Sequence, residues 1–255
     1  MKKIKSIKKC NNSKYQIEFM DNTKIKLYDN VILDNNILFK KELTIDDYAK
    51  LEEENAKEDV YYQTLKFISK KMRCRKEIEK FLDKYSITID EKNKIINKLN
   101  NNRLINDYAY ARAYVQDRFL LSSDGPIKIK DELLSNNIQY EVIESLLSEL
   151  EEDQIYHKLE KLIQKRIKGN STKSNYALKQ KIVYEMENLG YEDGLINEVL
   201  STTHFNDNNI VISKEYNKLY SKLSNKYEGE ELAKQIYYKL RSKGFHDSEI
   251  NNIKV

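Results

Sequence analysis

Four isoleucines, Ile78, Ile129, Ile182 and Ile236, recur at intervals of 51, 53 and 54 residues, and each is followed four positions later by Leu82, Leu133, Met186 or Leu240. A second row, Ile87, Ile138, Tyr191 and Phe245, keeps the same register. Ile143, Ile196 and Ile250 stand five residues beyond it, and Ile95, Leu146, Val199 and Ile253 eight beyond. Rows of apolar residues sharing one period mark an internal repeat, and the period suits a unit of three short helices better than one of two.

The second copy shows the unit most clearly. Asp107 offers a side-chain acceptor ahead of an Ala- and Tyr-rich run in which Ala111, Tyr114 and Val115 share a face, which predicts a helix start. The run stops at Ser122-Ser123-Asp124-Gly125, and the chain's one proline, Pro126, follows. There its ring opens a second helix at no cost, because a first-turn N–H has no intrahelical partner. A third helix is predicted from Ile138, Val142, Ile143, Leu146, Leu147 and Leu150. With 6 glycines in 255 residues, long helices meet few breakers.

The first 30 residues have a different period. Tyr15, Ile17 and Phe19 alternate with polar residues, Asp21-Asn22 offers a turn, and Ile25 and Leu27 alternate again. These predict a β-hairpin supported by a third short strand, near 31–33 or 37–39, or by packing on the first helix. Thr44 with Asp47 predicts a capped helix running from Ile45 to about Ser69 with a break inside it. The expected fold is mainly α, with tandem three-helix repeats forming an elongated curved array beside a small N-terminal β-hairpin element. The divisions fall at 1–43, 44–102, 103–151, 152–203 and 204–255.

Few features offer chemistry. His157, His204 and His246 lie in different repeats without ligand spacing, the glycines stand singly with no phosphate loop, and the carboxylate runs occur in charged helical context. Gly190 and Gly244 precede the aromatic row, where a helix C-terminal glycine belongs. Cys10 and Cys74 form no disulfide framework, and no apolar run approaches a membrane span, so the expectation is a cytoplasmic, monomeric protein without cofactor or metal that is not an enzyme.

Charge is better placed than it is abundant, since the net value is only +4. Lys70, Lys71, Arg73, Arg75 and Lys76 form one basic run, and Lys165, Arg166, Lys168, Lys173, Lys179 and Lys181 belong to a stronger one that begins at Lys158. An acidic cluster, Glu141, Glu144, Glu149, Glu151, Glu152 and Asp153, precedes the second run. Such separation orients a binding partner more than it adds stability. Most of the tyrosines within helices, among them Tyr61, Tyr62, Tyr108, Tyr110, Tyr114, Tyr237 and Tyr238, are expected in the core or at its rim.

Two segments resemble the RecX family of bacterial regulatory proteins. Lys71-Met72-Arg73-Cys74-Arg75-Lys76-Glu77-Ile78 is similar to its basic R-x-R-S-x-x-E-L segment, with Cys74 where the family usually has Ser. Asn102-Arg103-Leu104-Ile105-Asn106-Asp107-Tyr108-Ala109-Tyr110-Ala111 is similar to its leucine–aspartate–aromatic–alanine signature, with Asn106 where a second Asp is common. Asp124-Gly125-Pro126 fits the glycine opening its next helix. The resemblance implies a partner, the RecA filament on single-stranded DNA, whose strand exchange, ATP hydrolysis and co-protease activities such proteins hinder in recombination, repair and the SOS response. On that reading the two basic runs meet acidic filament surface or DNA phosphates. The alternatives are a stand-alone binder of single- or double-stranded DNA and a helical scaffold for another protein.

Overall fold

The computed structural model describes residues 1–10 and 13–253, which form two compact units, Met1–Tyr110 and Ala111–Val255.

The first unit opens with an antiparallel sheet of β1 (Lys2–Lys9), β2 (Lys14–Phe19), β3 (Lys24–Tyr28) and β4 (Glu42–Leu43), in the order β3-β2-β1-β4. The expected hairpin is β2–β3, turning where Asn22 takes a left-handed φ of 63°. The supporting strands, however, are the chain's first residues and Glu42–Leu43. Residues 31–33 instead lie in helix α1 (Asp29–Asp34), and Ile37–Phe39 is one 3-10 turn. β1 escaped the alternation rule for a physical reason. A bulge between Ile4 and Ser6 changes the phase of the strand, so that Ile4 and Ile7, three residues apart, both pack on the core.

Helix α2 (Ile45–Ile68) starts at the expected capping box, Thr44 with Asp47, and runs without the expected break. Its early residue Leu51 belongs to the core under the sheet, with Ile17, Phe19, Leu27 and Ile37. Its later residues Val60 and Tyr61 join Ile78 and Leu82 of α3 (Arg75–Leu82) and Ile95, Ile96 and Leu99 of α4 (Ile89–Asn101). One helix thus belongs to two cores. Each fully buried Leu or Ile contributes about 1.5–3 kcal/mol relative to exposure.

Helix α5 (Asp107–Leu121) begins in the first unit. The second continues with α6 (Pro126–Ser135), α7 (Tyr140–Leu147), α8 (Glu152–Lys168), α9 (Asn175–Asn188), α10 (Asp193–Thr202), α11 (Asn208–Leu223), α12 (Gly229–Arg241) and α13 (Asp247–Asn251). From α2 onward the helices come in threes, and the repeat rows are the cores. Ile78, Ile129, Ile182 and Ile236, with Leu82, Leu133, Met186 and Leu240, are all at most 2% exposed. Ile87 and Ile253 are the half-buried members of the later rows. Among the tyrosines, Tyr61 and Tyr110 are buried, Tyr62, Tyr114 and Tyr237 half-buried, and Tyr108 and Tyr238 exposed.

Inside the second unit one joint occurs twice. Gly190 and Gly244 end α9 and α12 with φ of +84° and +87°, and the N-terminus of an earlier middle helix docks on each turn. The backbone N–H of Gly125 donates to the Leu189 carbonyl at 2.6 Å, and that of Ile127 to Gly190 at 3.0 Å. Fifty-four positions on from Leu189, the Lys243 carbonyl accepts from the Ser174 N–H at 3.1 Å, while Ser174 Oγ donates to the Gly244 carbonyl at 2.7 Å. At the first joint the backbones approach so closely that a Cβ on Gly125 would lie 2.4 Å from the Gly190 oxygen. At the second, a serine hydroxyl fills the space that glycine leaves empty.

Candidate interaction surface

The first basic run occupies the loop from α2 to α3 and the opening turn of α3, where sequence neighbours have different roles. Arg73 is folded inward, its guanidinium 4.1 Å from the Phe67 ring centre and 2.8 Å from the Glu77 carboxylate. Lys71 reaches the same carboxylate at 3.7 Å, and Arg75 pairs with Glu79 at 2.8 Å. Lys70 and Lys76 are exposed. Arg73 therefore fixes the corner, while Lys70, Lys71, Arg75 and Lys76 present charge to solvent.

Two features of this corner explain its sequence. Cys74, fully buried, is the residue before α3, and burial pushes its thiol above the ordinary range. The next amide, Arg75 N–H, donates at 2.8 Å to the Asp107 carboxylate. Asp107 marks a helix start as its sequence predicts, but Asn106 caps that helix by accepting from the Ala109 N–H at 2.9 Å. The same tie recurs in the second unit, where the Asn175 N–H donates to Asn208 Oδ1 at 2.9 Å. Between them stands Pro126, which has no N–H to tie.

The second basic run lies on the last two turns of α8, the following loop and α9. Lys165 and Lys168 are exposed, and neither has an ion pair among the described residues. Arg166 and Lys181 share Glu185 at 2.6 and 3.4 Å, and burial opposed by these two cations leaves that carboxyl below its ordinary range. Lys179 Nζ lies 4.8 Å from the Phe205 ring centre. Lys173 is half-buried in a loop that Asn170 ties through the Lys173 N–H at 3.1 Å. Lys158, which opens the run, is spent inside: its Nζ donates to the Phe119 and Asp124 carbonyls at 2.6 and 2.8 Å, and burial lowers its pKa.

A groove of about 600 Å³ runs beside this surface, lined by Leu120, Ser122, His157, Lys161 and Lys165 among others. Behind it, nearly buried Asp124 accepts from Lys128 at 2.7 Å, Arg118 at 3.3 Å and Ser122 at 2.9 Å. Sequence reasoning passed over this carboxylate because a lone Asp before a glycine also reads as an ordinary loop residue. The acidic cluster is partly neutralised, with Glu144 on Lys130 at 2.7 Å and Glu149 3.9 Å from Arg112.

Among the described residues no group of three or more His, Cys, Asp and Glu is arranged to hold a metal ion, and no helix is long and apolar enough to cross a membrane. His157 and His246 are exposed, the first 3.3 Å from Glu160 and the second preceding α13.

Comparison with known proteins agrees across sequence and fold. Residues 106–147 match the family description "RecX, second three-helix domain". A protein named "Regulatory protein RecX" from Lactococcus lactis subsp. cremoris strain SK11 is 30% identical over 267 aligned positions, covering 99% of this chain and 97% of that protein. Its namesake from Oceanobacillus iheyensis is 28% identical over 205 positions, covering 79% and 75%. The fold is similar to a crystal structure of a regulatory protein RecX, with a TM-score of 0.65 and 20% identity, over 79% of this chain and 100% of the other. A crystal structure of RecX from Lactobacillus salivarius aligns over 57% and 94%, with a TM-score of 0.52 and 29% identity.

Proposed function

The chain belongs to the RecX family of regulatory proteins, and from that premise we propose that it binds the RecA filament on single-stranded DNA and restrains its ATPase, recombinase and co-protease activities. The observation that carries this reading is the alignment along nearly the whole of the Lactococcus protein, strands and all four helical triplets included. The protein acts by binding, as a cytoplasmic monomer, and performs no chemistry of its own.

The arrangement of charge supports the reading. Lys165 and Lys168 stand out from α8 with no ion pair among the described residues, and Lys165 lines a groove with the exposed apolar Leu120. A surface that mixes lone cations with exposed leucines suits an acidic protein face. Repeated modules add avidity, because one bound module raises the effective concentration of the next, so each contact can be weak.

The test is a titration of the protein into RecA hydrolysing ATP on single-stranded DNA. A saturable loss of ATPase at protein well below the DNA-site concentration is expected. Unchanged hydrolysis through a molar excess over RecA overturns the reading.

A further inference from the structure

The joint where α6 docks on the α9–α10 turn carries a groove of about 300 Å³. Pro126 and Ile127 of α6, Ile155 of α8 and Leu195 of α10 line it, together with Glu152 and Glu192. Ile127 is exposed, and Ile155 and Leu195 are half-buried at the edge of the core, so the walls offer accessible apolar surface. Glu152 opens α8 and Glu192 precedes α10. Neither carboxylate has an ion pair among the described residues, and Glu192 makes no side-chain cap.

The second joint shows what occupies the equivalent positions there. Tyr176 follows Ser174 by two as Ile127 follows Gly125, and His246 follows Gly244 by two as Glu192 follows Gly190. Asn208 opens α11 as Glu152 opens α8, and Glu249 stands three beyond His246 as Leu195 does beyond Glu192. The Tyr176 and His246 rings lie 6.0 Å apart, and Asn208 Nδ2 donates to Glu249 at 2.6 Å. The second joint thus bridges these positions with its own side chains, a planar nitrogen ring among them. The first holds apolar walls and two carboxylates instead. A carboxylate in a first turn suits the helix dipole, but the dipole gives no reason for an open apolar groove between two of them.

From this contrast we propose that the groove between α6, α8 and α10 receives an arginine side chain from a basic segment of a partner protein, its methylene stem on the apolar walls and its guanidinium on Glu152 and Glu192. Long cationic side chains cover apolar surface with their stems while the charged head stays at the rim. A guanidinium is planar, weakly hydrated and has donors for two carboxylates at once. The compact ammonium of lysine is strongly hydrated and gives up more water to enter such a groove. The inference does not rest on the filament reading, since Lys165 and Lys168 lie at the opposite end of α8. It gives that helix binding groups of opposite sign at its two ends.

The test is a titration of the tripeptide acetyl-Gly-Arg-Gly-amide into the full chain, with no RecA present, followed by NMR of the isoleucine and leucine methyl groups. Saturable shifts are expected at Ile127, Ile155 and Leu195. The double variant Glu152→Gln, Glu192→Gln is expected to bind about tenfold or more weakly, because it removes the charged acceptors that make hydrogen bonds to a guanidinium strong. Both side chains are exposed and have no ion pair among the described residues, so the melting temperature of that variant should be unchanged. The corresponding lysine tripeptide is expected to bind more weakly than the arginine one. Absence of saturable shifts at these methyls, or unaltered affinity in the double variant, overturns the proposal. So does a lysine tripeptide that binds as tightly, since the groove would then not select arginine.

Discussion

The carboxylate of Asp107 accepts a 2.8 Å hydrogen bond from the backbone N–H of Arg75, tying the start of α5 to the first turn of α3. The aspartate in the segment most similar to the family signature is thus a structural tie, and Asn208 repeats it on Asn175. Removing a side-chain acceptor from a first-turn amide costs about 0.5–2 kcal/mol. Asp107→Ala should lose stability in that range by urea denaturation, whereas Asp107→Asn, the arrangement found at Asn208, should retain most of it. Equal losses in the two variants would show that the hydrogen bond contributes nothing specific.

At the joint between α6 and α9, a Cβ on Gly125 meets the backbone oxygen of Gly190 at 2.4 Å, and one on Gly190 meets the Lys128 nitrogen at 2.3 Å. Both neighbours are backbone and neither can swing aside. Gly125→Ala and Gly190→Ala should each cost about 1–3 kcal/mol as overpacking does, with an added backbone penalty at Gly190, whose φ is +84°. Gly194, with nothing within 4 Å of its Cβ position, is the control. Gly194→Ala should be neutral or raise the melting temperature.

Asp124 gives the second unit an acid-sensitive point. Burial alone would raise its pKa, but hydrogen bonds from Lys128 and Ser122 and the charges of Lys128 and Arg118 outweigh it and hold the carboxyl below the ordinary range. A carboxyl depressed on folding adds stability above its unfolded pKa of about 3.9, and that stability is lost as pH falls through the folded value. Asp124→Asn should therefore be less stable than the wild type at pH 7, by about 1.5–3 kcal/mol for hydrogen bonds to a charged group. The difference should shrink as the pH drops below about 4. A constant difference across that window would assign the loss to packing.

The two cysteines should differ in reactivity. Cys74 is fully buried with its pKa raised by burial, while Cys10 is partly exposed near the sheet's open end. Thiolate and access together set the rate of disulfide exchange. Native protein should react with one equivalent of an aromatic disulfide, and unfolded protein with two. Fast reaction of both thiols in the native state would mean that the α2–α3 corner opens readily.

The helical part of the fold was legible because repetition made weak signals add. No single Ile or Leu at 129 or 182 means much, but rows in one register do, and those rows are the cores. β1 was missed because its bulge sets Ile4 and Ile7 three apart, and a period-2 rule finds nothing there. The basic runs were legible only as composition. Lys165 faces solvent while Lys158 reaches two backbone carbonyls, though the two are seven apart and alike in local sequence. The difference depends on what packs against α8, which local sequence does not carry.

That difference makes the charge-reversal experiment specific. If α8 contacts the filament, Lys165→Glu with Lys168→Glu should relieve inhibition of RecA's ATPase, because both side chains are exposed and have no ion pair among the described residues to break. Stability should change by less than about 0.5 kcal/mol. Arg166→Glu is a weaker probe, since it also places like charge beside Glu185, now 2.6 Å from the guanidinium. Arg73→Glu should act through folding, because it removes the stack on Phe67 and faces Glu77 with a like charge. Its loss of potency should follow its loss of melting temperature. The double lysine variant should lose potency with an unchanged melting curve, and full potency in that variant would remove α8 from the interface.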